Sequence, residues 1–253
     1  MEKYIIDFLE NKPIFFSFLR PKEVFLYQKY KPFNAPILDI GCGDGFFAKI
    51  AFGKIDIGLD VKNSEINEAK EKKVYKKIVI YDGKKIPFPD NYFSTIICNS
   101  TFEHILNIDE VLIESARVLK KNGNMYFTVP TNIWPKYLFG IKLFGSLYSN
   151  FFIKKSKHYN LYSLKKWTSV LNLLGYKVKY STHYLDNKKI IGLFDISHYL
   201  SISSIITKLI FNRWVLFPQK TIFLKSLVKF ISQNTSKNTK KGPYLFIAAR
   251  KIK

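Results

Sequence analysis

Asp39-Ile40-Gly41-Cys42-Gly43-Asp44-Gly45 is the stretch of this 253-residue chain whose residue types and spacing are best suited to chemistry. Three alternating glycines follow a short apolar run that carries a carboxylate. Glycine takes backbone conformations closed to other residues, so such a loop lets the main chain pass close to a ligand and open a helix beside it. A dinucleotide fingerprint would place its third glycine at position 46, where Phe46 stands, and no Gly-Lys-Ser/Thr follows to make a P-loop. Acidic residues among the glycines suit a ligand with hydroxyls and positive charge rather than phosphates. Cys42 and Cys98 have no spacing for a metal site, so no metal is expected.

The elements around this loop alternate. Residues 37–40 read as a strand, 46–52 as a helix, 55–59 as a second strand and 64–70 as an acidic helix. Strands follow at 78–81, 95–98 and 125–129. Between the last two, residues 108–119 carry apolar side chains at 108, 111, 112, 116 and 119, close to the helical period. This pattern predicts a parallel sheet covered on both faces, a Rossmann-like doubly wound α/β fold. Residues 1–34 read as an aromatic helical cap punctuated by Pro13, Pro21 and Pro32. Beyond Pro130 the chain is aromatic and Lys-rich to residue 157. A helix is expected at 164–174, a strand at 176–180, a long insert at 185–241 with a polar loop at 232–241, and a last strand at 244–249.

Hydrophobic content of 47% with 23 Phe excludes a disordered chain. Two cysteines exclude a disulfide scaffold and fit a reducing cytosol. Apolar runs are broken well before the roughly 18–20 residues of a membrane span. The start, Met1-Glu2-Lys3-Tyr4, does not read as a signal peptide. The net charge of +22 is unevenly placed: residues 32–130 hold 13 bases and 13 acids, whereas residues 131–253 hold 22 bases and 2 acids. Such asymmetry points to an anionic partner, a membrane surface or a nucleic acid.

On the Asp39–Gly45 loop the chain resembles a class I S-adenosylmethionine-dependent methyltransferase, of the small-molecule type often called methyltransferase type 11. The resemblance runs in detail over residues 35–130 and more loosely to the end. It implies a seven-stranded sheet of order 3-2-1-4-5-7-6 whose last strand is antiparallel. It implies S-adenosylmethionine as cofactor, bound by Asp39, Gly41, Cys42, Gly43 and Gly45. Asp60 matches the acidic residue that accepts the ribose hydroxyls, with Val61 beside it, and Asp82-Gly83 matches the motif near the adenine. Residues 86–93 resemble the family's apolar-Pro-Phe turn, Glu103-His104 its Glu-His pair, and residues 117–120 its Arg-containing helix end. Asn99 and Glu103 complete the implied cofactor shell. The chain departs from the family at Phe93-Ser94, where Phe-Asp is usual, and at residues 120–124, where Lys-Pro-Gly-Gly is usual. Both are turns.

Methyl transfer from a sulfonium is a direct displacement, so the protein must align the acceptor, and a hydroxyl acceptor must also lose a proton. His104, after strand four, and His158, in the cluster His158-Tyr159-Asn160-Leu161-Tyr162-Ser163, are the candidate catalytic residues. Tyr162 is a further candidate for substrate contact. The insert carries 10 bases and 2 acids among aromatic and aliphatic residues. On a helical wheel Phe223, Leu224, Leu227, Val228, Phe230 and Ile231 share a face opposite Lys225 and Lys229. This suits a helix lying in an anionic membrane interface, or a cap over the acceptor pocket. Lys dominance with scarce Arg makes nucleic acid the poorer partner. The sequence therefore predicts one methyltransferase domain: an N-terminal cap (1–34), a cofactor core (35–130), an acceptor-side half (131–184), a basic insert (185–241) and a last strand (242–253). The expected acceptor is a small or lipid-linked molecule, met in the cytoplasm at the inner membrane face. A soluble enzyme whose insert is a lid is the alternative, and an RNA methyltransferase a more distant one.

Overall fold

The computed structural model describes residues 1–62, 65–216, 222–235 (side chains from 225) and 238–253. Four parallel crossovers build its centre. β1 (Ile37–Ile40) is buried at every residue, as a strand covered on both faces must be. β2 (Ile55–Val61) and β3 (Tyr75–Tyr81) extend the sheet to one side; β4 (Phe93–Asn99) and β5 (Leu119–Pro130) extend it to the other. β8 (Tyr244–Lys251) then runs antiparallel to β5, and β6 (Tyr176–Tyr184) antiparallel to β8. β7 (Asn238–Thr239) pairs with His183 and Tyr184 at the rim. The order is β3-β2-β1-β4-β5-β8-β6-β7. It is the expected arrangement with one two-residue strand added at the edge.

Side chains alternate across a strand, and β1 and β4 divide accordingly between two cores. Ile37 and Ile97 face one apolar cluster, Leu38, Ile96 and Cys98 the other. The second is covered by α5 (Ile108–Val118) and α7 (Leu164–Leu173). α5 buries Ile108, Val111, Leu112, Ser115 and Val118 at helical spacing, with Asp109 and Glu110 in its first turn and Arg117 in its last, both favourable to the helix dipole. The first core is covered by α1 (Glu2–Asn11), α2 (Phe15–Gln28), α3 (Phe46–Ala51) and helices of the basic half. α4 (Ile66–Glu71) leads into β3.

Several boundaries differ from the sequence expectation. Pro21 lies inside α2 and does not end it; nine buried residues hold that helix by packing. α6 (Ile141–Lys155) occupies the stretch read only as aromatic and Lys-rich. The insert folds as α8 (Lys188–Leu200), α9 (Ile202–Phe211) and α10 (Ile222–Thr235). The expected polar loop at 232–241 begins as helix, because Ile231 is fully buried and the Thr235 hydroxyl donates to its carbonyl at 2.8 Å. Most of the described apolar face expected on α10 points inward: Val228 and Ile231 pack in the first core and Leu227 packs against it, while Phe230 is 38% exposed. Phe223 and Leu224 lie outside the described side chains. A helix that turns its apolar side outward is α9, none of whose residues is buried.

Candidate active site

The glycine loop leaves β1 at the carboxyl edge of the sheet. Gly41 and Gly43 have φ of +75° and +51°, the left-handed region that favours glycine. The amides of Gly41 and Cys42 donate to the Leu59 carbonyl at 2.8 and 3.2 Å, tying the loop to the end of β2. The amide of Gly43 donates to Asp60 Oδ2 at 2.7 Å, and that of Val61 to Asp60 Oδ1 at 2.7 Å. Asp39 is buried and accepts from the Tyr75 hydroxyl at 2.6 Å. Burial pushes its carboxyl up to about 7.

Three cavities lie along this edge. One of about 410 Å3 is lined by Gly41, Asp60, Val61, Asp82, Gly83 and Thr101, with His104 at its far side. A second of about 190 Å3 is lined by Asp39, Cys42, Gly43, Asn99 and Ser100, and shares Gly41 and Thr101 with the first. A third of about 200 Å3 shares Phe16, Arg20 and Ser100 with the second and His104 with the first. It is mostly aromatic, with Phe15, Trp134, Phe152 and Phe194 in its wall. The residues fit S-adenosylmethionine across the first two cavities. A carboxylate stands at the end of β2, the glycine loop lies between the cavities, and a buried acid faces the second. Bound there, the cofactor supplies an electrophilic methyl group. The third cavity adjoins both.

Most of the residues singled out by sequence come together here, with different duties for some. Asp82 is exposed, and its Oδ1 accepts from the amides of Lys84 and Lys85 at 2.8 and 2.9 Å, which holds its carboxyl below the ordinary range. Asp44 also lines the second cavity; against burial, which raises it, Lys12 and Lys72 hold its carboxyl low through ion pairs. Cys42 and Cys98 are buried packing residues whose thiols burial pushes up. Glu103 lines the third cavity and neither of the other two. Tyr162 packs on Trp167, with ring centroids 5.1 Å apart, and lines none of the three.

His104 and His158 are 54 positions apart in sequence, yet their rings stack at 4.9 Å. The turn after β4 is zipped to the segment before α7. The Glu103 carbonyl accepts from the amides of Tyr159 and Asn160 at 2.8 and 3.2 Å, and Asn160 Nδ2 donates to the Phe102 and Ile105 carbonyls at 2.8 and 2.6 Å. Burial holds both imidazoles below their ordinary range, His158 at about 3, so both are neutral at pH 7.

Sequence reasoning missed the N-terminal contribution. Glu23, fully buried on α2, accepts from Arg20 Nη1 at 2.7 Å, Asn99 Nδ2 at 3.0 Å, Ser100 Oγ at 3.2 Å and the Tyr184 hydroxyl at 2.9 Å. Asn99 also accepts from the Thr128 hydroxyl at 2.9 Å. Its amide is thus committed at both ends to holding the strand tips together. Arg20 and Glu23, three positions apart in a largely apolar stretch, were the signal the sequence carried.

Residues 38–127 match the family described as methyltransferase domain. An uncharacterized protein of Methanocaldococcus jannaschii is 31% identical over 183 residues, covering 70% of this chain and 78% of the other. A ubiquinone biosynthesis O-methyltransferase of Pelagibacter ubique is 30% identical over 115 residues, 43% of this chain and under half, 47%, of that protein. Among solved structures, an S-adenosylmethionine-dependent methyltransferase of Thermotoga maritima, a possible histamine N-methyltransferase, superposes with a TM-score of 0.60. It is 16% identical, with 99% of this chain and all of the other covered, and that likeness speaks to the fold.

Proposed function

The chain belongs to the class I S-adenosylmethionine-dependent methyltransferases, and we propose that its acceptor is a lipid-linked or otherwise amphipathic small molecule met at an anionic membrane face. The observation that carries this reading is the orientation of α9. Ile205, Ile206, Leu209 and Ile210 are between 52% and 79% exposed. On its other side Lys208 pairs with Glu68 at 2.7 Å, and the Thr207 hydroxyl donates to the Trp214 carbonyl at 3.1 Å. A surface helix of a water-soluble protein ordinarily turns its apolar stripe to the core. Here the polar side is the half-buried one, and exposed apolar area of this kind marks an interaction surface.

The same layer of helices reaches the third cavity, which we take as the acceptor's. Phe152 of α6 and Phe194 and His198 of α8 line it, while Leu143, Phe144, Leu147 and Phe151 of α6 and Leu200 of α8 are more than half exposed. α6 and α8 are joined by Tyr148, which donates to Asp195 at 2.6 Å. Lid and interface are therefore two sides of one layer. Lysines on it, in a half-chain with 22 bases and 2 acids, favour anionic headgroups. No single described helix is long and apolar enough to cross a membrane; α8 and α9 together would be bent by 47°.

Co-sedimentation with vesicles tests the reading. Wild-type protein is expected in the pellet with phosphatidylglycerol vesicles and in the supernatant with phosphatidylcholine ones. I206D/L209D is expected in the supernatant with both, while still binding S-adenosylmethionine. Equal recovery of the two proteins would sink the proposal and leave the insert a lid only.

A further inference from the structure

We propose that Glu103, His104 and His158 form a binding site for one divalent first-row transition-metal ion in the wall of the acceptor cavity. One ligand-competent atom from each of the three lies within 4.8 Å of the others. With metal–ligand distances of roughly 2.0–2.2 Å, a small contraction brings such a trio around an ion. Two imidazoles and one carboxylate on one side, with open positions on the other, make a set that holds zinc or iron(II).

The supporting observation is independent of that spacing. Glu103 is only 2% exposed, and its Oε2 makes no hydrogen bond among the described residues. A buried carboxylate oxygen without a donor is costly, and a cation supplies what it lacks. Arg20, the Arg on the same wall, donates to Glu23 at 2.7 Å and acts on Glu103 only through its field.

The histidines are prepared as ligands. His104 Nδ1 lies 3.3 Å from the Lys157 carbonyl, which only accepts, so Nδ1 carries the proton and Nε2 the lone pair. That Nε2 stands 3.8 Å from Glu103 Oε1. His158 Nδ1 lies 3.1 Å from Ser156 Oγ, whose own hydrogen goes to the Phe152 carbonyl at 2.6 Å. His158 is therefore also held with its proton on Nδ1. Metal-binding histidines characteristically donate their second nitrogen to such partners. The other described trio of this kind, Asp44, Glu65 and Glu68, is different, because Lys12, Lys72 and Lys208 already pair with two of its members.

The use of the ion rests on the methyltransferase reading, although the site itself does not. A divalent cation in this wall lowers the pKa of a hydroxyl held beside it. The hydroxyl proton leaves to solvent, the oxygen forms the bond to the methyl carbon, and the sulfonium sulfur keeps the electron pair of the bond that breaks. The proposal therefore favours an oxygen acceptor.

The test is metal content, read on the full chain after affinity-tag removal. Protein stripped by chelator and dialysed against zinc should retain one zinc per chain by mass spectrometry. Cobalt(II) in its place should give a visible ligand-field band. Zinc affinity should fall at least about tenfold in His158→Ala and in Glu103→Gln, with S-adenosylmethionine binding confirming that each variant is folded. D44N/E68Q should retain the metal. A wild-type chain that keeps no zinc, or zinc retained unchanged in E103Q/H158A, overturns the site. Zinc bound as expected but without effect on methylation of hydroxyl acceptors overturns its assigned use.

Discussion

A Cβ atom on Gly41 would stand 2.2 Å from Oγ1 of Thr101, so the glycine loop after β1 and the turn after β4 meet with no room for a methyl group. Both residues line the two cavities assigned to S-adenosylmethionine. Gly41→Ala must therefore push the two loops apart at the cofactor site. Gly43, by contrast, has open space where its Cβ would be, and only its φ of +51° opposes a side chain, at a cost of roughly 1–2 kcal/mol. Calorimetry should find S-adenosylmethionine binding abolished in Gly41→Ala and weakened by about tenfold in Gly43→Ala. The reverse ranking would show that the loops do not meet as described.

Asp60 holds the Gly43 amide and faces the larger cofactor cavity. Removing a charged acceptor costs about 1.5–3 kcal/mol per bond. Asp60→Ala is expected to raise the dissociation constant for S-adenosylmethionine by about 10- to 100-fold, and Asp60→Asn by less. Unchanged affinity in Asp60→Ala would remove this residue from the site.

Asp39 links proton release to cofactor binding. Its carboxyl, pushed up to about 7 by burial, is largely protonated at pH 6. A raised acid favours the folded state when protonated, so this contribution is full below about 3.9 and is lost as pH rises through 7. A cationic ligand beside it reverses the preference, and S-adenosylmethionine binding at pH 6–7 should release a proton. Titration calorimetry in buffers of different ionisation enthalpy should detect that release in the wild type and lose it in Asp39→Asn. No buffer dependence in the wild type would contradict the assignment.

Glu23 anchors the N-terminal cap to the strand tips. Removing one partner of a buried ion pair leaves an uncompensated charge and typically costs about 3–5 kcal/mol. Glu23→Ala strands Arg20, Asn99, Ser100 and Tyr184 together, so thermal unfolding should move down by many degrees. E23A/R20M should recover part of the loss. A Glu23→Ala protein as stable as the wild type would mean that the cap is not held this way.

What was legible in the sequence was local. The glycine loop, Asp60 and the strand–helix alternation announce themselves within a few positions, because turn geometry and hydrophobic period are short-range properties. Glu23 and Asn99 are 76 positions apart, and the stacking of His104 on His158 depends on a backbone zip between two loops. No periodicity reports such pairings. The insert shows a different limit. Helical spacing identifies an apolar face, but which way that face turns is decided by packing. α10 has such a face and buries most of it, whereas the neighbouring α9 exposes its own. Fold and cofactor loop were thus open to reading, while the acceptor cavity and the outward face of the basic half needed the tertiary structure.

The central claim is methyl transfer from S-adenosylmethionine to an amphipathic acceptor at a lipid surface, and label transfer tests it most directly. The protein would be incubated with methyl-labelled S-adenosylmethionine and a membrane lipid extract presented in anionic vesicles, and the label then counted in the organic phase. The account predicts organic-phase label from the wild type, much less from Asp60→Ala at the same sub-saturating S-adenosylmethionine concentration, and strongly reduced label from I206D/L209D although that variant binds the cofactor normally. Label confined to water-soluble acceptors, with I206D/L209D indistinguishable from the wild type, would contradict it.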